Sequence, residues 1–293
     1  MERGTVPVDD LDGRLDLYAT IESGQSYLWG RTDDRCYAGE RPDGAWYHTT
    51  VGGEVLLARQ RDGRLEWRAS ADLADALRGR LRLGDDLRAI EADAPEDDLI
   101  RAAYDAHRGL RLVRDPFFPT LVAFICSAQM RVGRIHGMQV ALREAFGDPV
   151  EFDGDTYHRF PTPEALASTT EAELRDLGLG YRAPYVRRTA ELVASGEHTR
   201  ADVTGLPYEE AREALTGFVG VGEKVADCVL LFSLGYLEAV PLDTWIRTAI
   251  EEHFPDCARG NYEDTSRAIR ERFGGEYAGY VQTYVFHHLR TGA

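Results

Sequence analysis

The hydrophobic pattern changes period once, near residue 70, and that single change limits the fold more than any other feature of the chain. From Leu15 to about Ala69 apolar and polar residues alternate in short runs interrupted by turn residues. The segments "RCYAGE-RPDG-AWYHTTV" and "EVLLARQ-RDG-RLEWRAS" break at Pro42-Asp43-Gly44 and at Arg61-Asp62-Gly63, where Pro, Asp and Gly supply the dihedral angles of hairpin turns. An antiparallel sheet is expected there. From about Asp72 the period becomes helical and stays so through "DLADALRGRLRL", "EDDLIRAAYDAH", "PTLVAFICSA", "VGRIHGMQVALREAF" and "APYVRRTAELVAS" to "YAGYVQTYVFHHLR". Thr170 and Glu173 have the spacing of a capping box, and Pro207 marks a helix start. The sequence therefore predicts an α+β protein with an N-terminal antiparallel β domain over 1–98 and a larger helical domain over 99–293.

Within the helical half, "VGVG" separates "PYEEAREALTGF" from "EKVADCVLLFSL" and is too short for anything but a tight turn between two helices, giving a helix-hairpin-helix at about 207–234. Gly220 and Gly222 are expected to permit positive φ and close approach to their amides, next to a helix N-terminus that suits a phosphate. The stretch is neither a Walker loop nor a complete G-x-G-x-x-G, because Lys224 is not flanked as the first requires and position 225 is valine. Grip on a nucleic-acid phosphate remains.

Lys224 is the only lysine in the chain; the other 33 of its 34 basic side chains are arginine. Arginine stays protonated and offers no lone pair for attack on carbon, whereas a lysine amine can form an imine. Nineteen residues on, Asp243 in "AVPLDTW" follows Pro241 and has the position of a helix N-cap. An ordinary cap and a carboxylate that assists Lys224 are both compatible with that position.

The formal charge of −16 speaks against a polyanionic partner, but Asp-rich, arginine-for-lysine composition is also that of halophilic proteins. At about 1 M salt the Debye length falls to roughly 3 Å, so repulsion would be screened. Net charge leaves the partner open. No apolar run is long enough to span a bilayer, and the acidic N-terminus lacks the apolar stretch of a secretory signal, which predicts a cytoplasmic protein without a membrane partner. The four cysteines, Cys36, Cys126, Cys228 and Cys257, are dispersed and make neither a zinc nor an iron–sulfur pattern.

The run "VGVGEKVADCVLLFSLGYLEAVPLDTW", together with "SGQSYLW", "DPFFPTLVAFICSAQ", "TYHRFPTPEALA", "LGLGYRAPYV" and "YAGYVQTYVF", resembles the 8-oxoguanine DNA glycosylase/AP lyase family of helix-hairpin-helix glycosylases. The matching stretches are spread in order over most of the chain.

The resemblance implies removal of 8-oxoguanine from double-stranded DNA followed by strand cleavage, by a monomer needing no cofactor; it leaves open a monovalent cation on the hairpin carbonyls. It casts Lys224 as the nucleophile at C1′ and Asp243 as its assistant. The carbonyl of Gly24 would accept the lesion's N7–H, Gln282 would read the Watson–Crick edge, and Cys228 and Phe286 would cover the two ring faces. Tyr181 resembles a wedge that fills the vacated stack, while Arg182 and Arg134 resemble contacts to the orphaned base. Two departures stand out. Gln129 opens "QMR" where the family commonly has asparagines, and Trp245 replaces a histidine that meets a phosphate. Two other readings stay open at this point: a glycosylase for alkylated purines, which needs no lysine, and a non-catalytic DNA-binding protein.

Overall fold

A computed structural model describes residues 1–41 and 43–292. An antiparallel sheet of order β1-β5-β4-β3-β2 is built from β1 (Glu2–Pro7), β2 (Gly30–Arg31), β3 (Tyr47–Val51), β4 (Glu54–Arg61) and β5 (Arg64–Ala69). Asp62 and Gly63 both have positive φ (49° and 71°), which lets β4 turn directly into β5 with Arg61 opposite Arg64. A second two-residue turn at Gly52-Gly53, not read from the sequence, joins β3 to β4.

The expected first hairpin is corrected. Residues 35–40 are not a strand, and Pro42 lies outside the described residues. The "RCYAGE" run is pulled into a loop by tertiary contacts: Tyr37, at φ 62°, donates its hydroxyl to the carbonyls of Ser26 and Ile21 and stacks on Tyr27 with ring centroids 5.7 Å apart. Between β1 and β2 lies a further unforeseen element, α1 (Leu17–Glu22), capped by Asp16, which accepts the Ala19 amide at 3.0 Å. It is buried on nearly every side, so it carries no amphipathic stripe to betray it.

The helical half follows the predicted periods in α2 (Ala74–Arg80), α4 (Asp98–Ala106), α5 (Phe117–Ile125), α6 (Val132–Phe146), α8 (Glu171–Asp176), α9 (Ala183–Ala194), α10 (Tyr208–Thr216), α11 (Glu223–Val229), α12 (Thr244–His253), α13 (Tyr262–Arg272) and α14 (Ala278–Thr291), and adds two short helices not read from the sequence, α3 (Leu87–Asp93) and α7 (Pro163–Ala167). The capping box at Thr170 and Glu173 forms with both reciprocal bonds. A small hairpin, β6 (Pro149–Phe152) with β7 (Asp155–His158), interrupts the helices; its Phe152 and Tyr157 pack on Val55 and Leu57, one face of the sheet. The opposite face packs on Leu15, Leu17, Leu77 and Leu81.

Arg111 locks this assembly. Its fully buried guanidinium donates to the carbonyls of Asp12 and Arg14 at 3.1 Å and of Arg82 and Asp85 at 2.9 Å, joining segments nearly 100 residues apart. The loop at residues 23–27 is held by similar means. Gln25 Nε2 donates to the carbonyls of Thr20 and Arg111, its Oε1 accepts the Val113 amide at 2.8 Å, and Ser26 donates to Asp115. Among the described residues no helix is long and apolar enough to cross a membrane.

Candidate active site

Hydrogen-bonded this way, the 23–27 loop forms one wall of a cavity of about 610 Å³ whose other walls come from α5, α6, α11, α12 and α14. Gly24 stands at φ 101°, a conformation that side-chain-bearing residues avoid. A methyl group there would lie 3.1 Å from Val132 Cγ1 and 3.4 Å from Phe286 Cε1. The loop carries no side chain at this point and presents its main chain to the cavity beside the Phe286 ring.

Lys224 and Cys228 are four residues apart on α11, one helical turn, and both face the cavity. Lys224 is half-buried, and its Nζ donates to Ser127 Oγ at 2.9 Å. Ser127, at the end of α5, in turn donates to the Phe124 carbonyl at 2.7 Å. The amine is therefore placed by a helix other than its own, and it forms no ion pair with Asp243. Burial pushes the Cys228 thiol up to about 12, so it is a neutral, polarisable surface rather than a nucleophile.

Asp243 caps α12 by accepting the Ile246 amide at 2.8 Å, so the ordinary cap is real. Its carboxyl also faces the cavity, and burial raises it to about 6 against the opposing pull of the Ile246 amide and the Lys224 charge. At neutral pH it stands closer to its neutral form than an exposed carboxylate does. Behind it lies a support the sequence did not reveal. Tyr262 Oη accepts the Leu242 amide at 3.1 Å and donates to Asp227 at 2.7 Å, and Tyr208 donates to the other Asp227 oxygen at 2.6 Å. Asp227 thus ties the back of α11 to the segment that carries Asp243.

Gln282 on α14 is buried with its Oε1 accepting from Thr283 Oγ1 at 3.1 Å, and it lines the same cavity as Phe286, Gln129 and Trp245. Lys224, Asp243, Gly24, Cys228, Gln282 and Phe286, drawn from four separate stretches of sequence, are thus brought together. Gln129 holds φ 55° at the rim.

Arg134, Tyr181, Arg182, Gly220 and Gly222 lie outside the cavity. Tyr181 is 55% exposed, Val219 at the hairpin tip 42% and Trp245 at the rim 40%. Arg182 is buried, donates to the Ala128 carbonyl next to Gln129, and has its guanidinium carbon 4.2 Å from the Tyr181 ring centroid. As placed, it braces the rim rather than projecting outward. Arg134 is exposed and its guanidinium passes Gly178, toward the Tyr181 loop.

Gly220, at φ 84°, packs under the Tyr185 ring, where a methyl group would approach to 2.7 Å. Gly222 corrects the expectation of two positive-φ glycines: its φ is −93°. No atom lies within 4 Å of where its Cβ would be, so what the missing side chain leaves is an open approach to the amides. Ser127 and Val219 are the residues that sequence reasoning missed. A valine opening the four-residue turn next to Gly220 was a readable signal for Val219; a pairing 97 residues apart was not readable for Ser127.

A family model described as HhH-GPD superfamily base excision DNA repair protein matches residues 122–274. The probable N-glycosylase/DNA lyase of Methanothermobacter thermautotrophicus is 36% identical over 217 residues, covering 67% of this chain and 68% of the relative. The Arabidopsis thaliana N-glycosylase/DNA lyase OGG1 is 29% identical over 294 residues, covering 93% and 76%. The Clostridium acetobutylicum 8-oxoguanine glycosylase/lyase bound to double-stranded DNA with cytosine opposite 8-oxoG superposes with a TM-score of 0.83 at 26% identity, over 96% of this chain and 93% of that one.

Proposed function

Since the chain belongs to the HhH-GPD superfamily of base excision DNA repair proteins, we propose that it is a DNA glycosylase with AP lyase activity that removes 8-oxoguanine from duplex DNA. The observation that carries this reading is the meeting of the sole lysine, a buried carboxylate, two candidate ring-covering side chains, an amide side chain and an exposed main-chain loop in one cavity large enough for a purine.

The chemistry follows from what each group can do. A flipped nucleotide enters the cavity, its unstacking cost offset by contact of the base with Phe286 and Cys228. The Gly24 carbonyl accepts the N7–H that distinguishes the lesion from guanine, and the Gln282 amide bonds the Watson–Crick edge. Lys224 Nζ, having lost a proton, donates its lone pair to C1′ as the C1′–N9 bond breaks and the base leaves with that electron pair. Asp243 stabilises the positive charge that grows on the sugar. The amine-bearing sugar opens to an imine. Loss of a C2′ proton then drives β-elimination, with the 3′ phosphate as leaving group.

Outside the cavity, the hairpin at Gly220–Gly222 holds the DNA backbone, Tyr181 fills the gap left by the flipped base and Arg134 faces the strands, while Gln129 and Trp245 meet them at the cavity rim, which Arg182 supports from within. In this reading the protein acts as a cytoplasmic monomer, with the 1–98 β domain and the 99–293 helical domain each contributing a wall of the site.

Borohydride reduction with 8-oxoguanine duplex tests the proposal. A covalent adduct is expected with the native protein and none with Lys224→Gln, a clean comparison because no other lysine can substitute. An adduct that persists in Lys224→Gln after blocking the N-terminal amine would refute the assignment. Release of alkylated purines in place of 8-oxoguanine would refute the substrate.

A further inference from the structure

A second cavity, of about 180 Å³, opens between the sheet and the helical half and shares no lining residue with the first. Arg80, Arg143 and Arg159 line it, together with the Gly52-Gly53 turn and the Phe160 ring, and no carboxylate does so. Only Arg80 has an acidic partner: Asp115, at 3.3 Å, itself buried behind the wall.

Arg143 is the most telling of the three. Its side chain is buried, its Nε and Nη1 donate to the carbonyls of Gln139 and Leu28, and its second terminal nitrogen has no protein acceptor yet is not sealed from solvent. Burial lowers its pKa to about 10, so it remains a cation at neutral pH. Glu144 is the one carboxylate that acts on it, from an exposed position and without an ion pair among the described residues. His48 and His136 are both held neutral at physiological pH, pushed down to about 4 by burial, and Cys36 is raised by its own burial. Arg159 is exposed, forms no ion pair, and lies with its guanidinium over Gly53, where a methyl group would approach to 2.7 Å. Arg143 is thus a buried cation with no ion pair among the described residues, which is costly unless something anionic completes the set, and the exposed Arg159 brings a second guanidinium to the same cleft.

We propose that this cleft binds a phosphate-class oxyanion, held by Arg143 and Arg159 with Arg80 as a third positive group. Guanidinium groups match the geometry of such oxyanions through paired N–H donors. The source is either a free anion or a phosphodiester of bound DNA. The second source is sterically reasonable, because Arg143 lies eight residues along α6 from Ile135 in the wall of the first cavity, about 12 Å at 1.5 Å per residue. The site does not depend on the glycosylase reading.

Inorganic phosphate is the probe. The full-length protein, Arg159→Ala and Arg143→Met are melted in increasing phosphate against sodium chloride of equal ionic strength. Phosphate also stabilises proteins by exclusion from their surface, so the quantity read is the difference between proteins. A saturable rise in Tm is expected for the native protein, at least halved in Arg159→Ala and absent in Arg143→Met. If Arg143→Met does not fold, the exposed Arg159→Ala carries the test alone.

Duplex binding as a function of salt then separates the sources. A slope of log K against log[salt] shallower by about 1 in Arg159→Ala assigns the cleft to a DNA phosphate. An unchanged slope with a retained phosphate-dependent difference in Tm assigns it to a free anion. Equal Tm rises in all the proteins together with an unchanged slope would overturn the proposal.

Discussion

Gly24→Ala is the substitution that most directly tests how the cavity wall is built. At φ 101° an alanine is in a region of backbone space nearly reserved for glycine, which costs roughly 1–3 kcal/mol. Its methyl group would also come within 3.1 Å of Val132 Cγ1, so α6 or the loop must give by a few tenths of an ångström. Gln25 and Ser26, bonded to Thr20, Arg111, Val113 and Asp115, resist a compensating shift of the loop. A total near 2 kcal/mol is therefore expected, which at about 2–4 °C per kcal/mol for a protein of this size lowers Tm by about 4–8 °C.

The same methyl group reaches 3.4 Å from Phe286, so the space for a base narrows as well. Excision of 8-oxoguanine should fall at least tenfold, while binding to a duplex with a ready-made abasic site, which needs no base pocket, should hardly change. Gly222→Ala is the control. With φ −93° and open space around it, that substitution should shift Tm by less than about 2 °C. Circular-dichroism melts and gel-resolved excision read both quantities. A Gly24→Ala protein with native Tm and native excision would refute the reasoning from backbone geometry.

Two further outcomes follow from buried polar groups. The Asp227 carboxyl is raised from 3.8 to about 7, chiefly by burial, so its contribution to stability is complete below pH 3.8 and is lost as pH rises through 7. That difference is worth on the order of 4 kcal/mol; unfolding by urea at pH 5 and pH 8 should show a decline that Asp227→Asn flattens, and parallel declines in both proteins would contradict it. Arg111→Lys offers fewer donors in the wrong geometry for the four carbonyls of Asp12, Arg14, Arg82 and Asp85. It should cost about 2–4 kcal/mol and raise hydrogen exchange at residues 12–14 and 82–85; native Tm and protection would contradict that.

What the sequence made legible, and what it hid, divides along the range of the forces involved. The helices at 98–106 and 183–194 announce themselves because their apolar stripes repeat every 3.6 residues, and the β4–β5 turn because Asp62-Gly63 accepts positive φ. These are local properties. The loop at 35–40, α1 and the β6–β7 hairpin were not read correctly, because conformations there are fixed by partners elsewhere in the chain: Tyr37 on Tyr27 and Ser26, and Phe152 on Val55 and Leu57.

The candidate site shows the same division. Lys224 and Asp243 could be picked out by residue type and position, and the resemblance pointed to Gly24, Cys228, Gln282 and Phe286. Ser127 as the partner of Lys224, the Tyr208–Asp227–Tyr262 support and the inward turn of Arg182 depend on side-chain placement that no pattern encodes.

The anchoring of the 23–27 loop has a consequence for how the protein would fail. Gln25 and Ser26 hold that loop through residues 111–115, nearly 90 positions away, whereas the hairpin at 217–222 is held by its own two helices and by Tyr185. Every residue of that loop is buried, whereas Gly217, Val219, Gly220 and Gly222 of the hairpin are exposed, and segments with few buried contacts are the first to open. Under mild heat or denaturant the turn that would hold the strand would therefore loosen before the wall that would discriminate one base from another. A protein in that state would let go of DNA while it still kept its means of refusing an undamaged base, so partial unfolding would silence the activity before it made it indiscriminate.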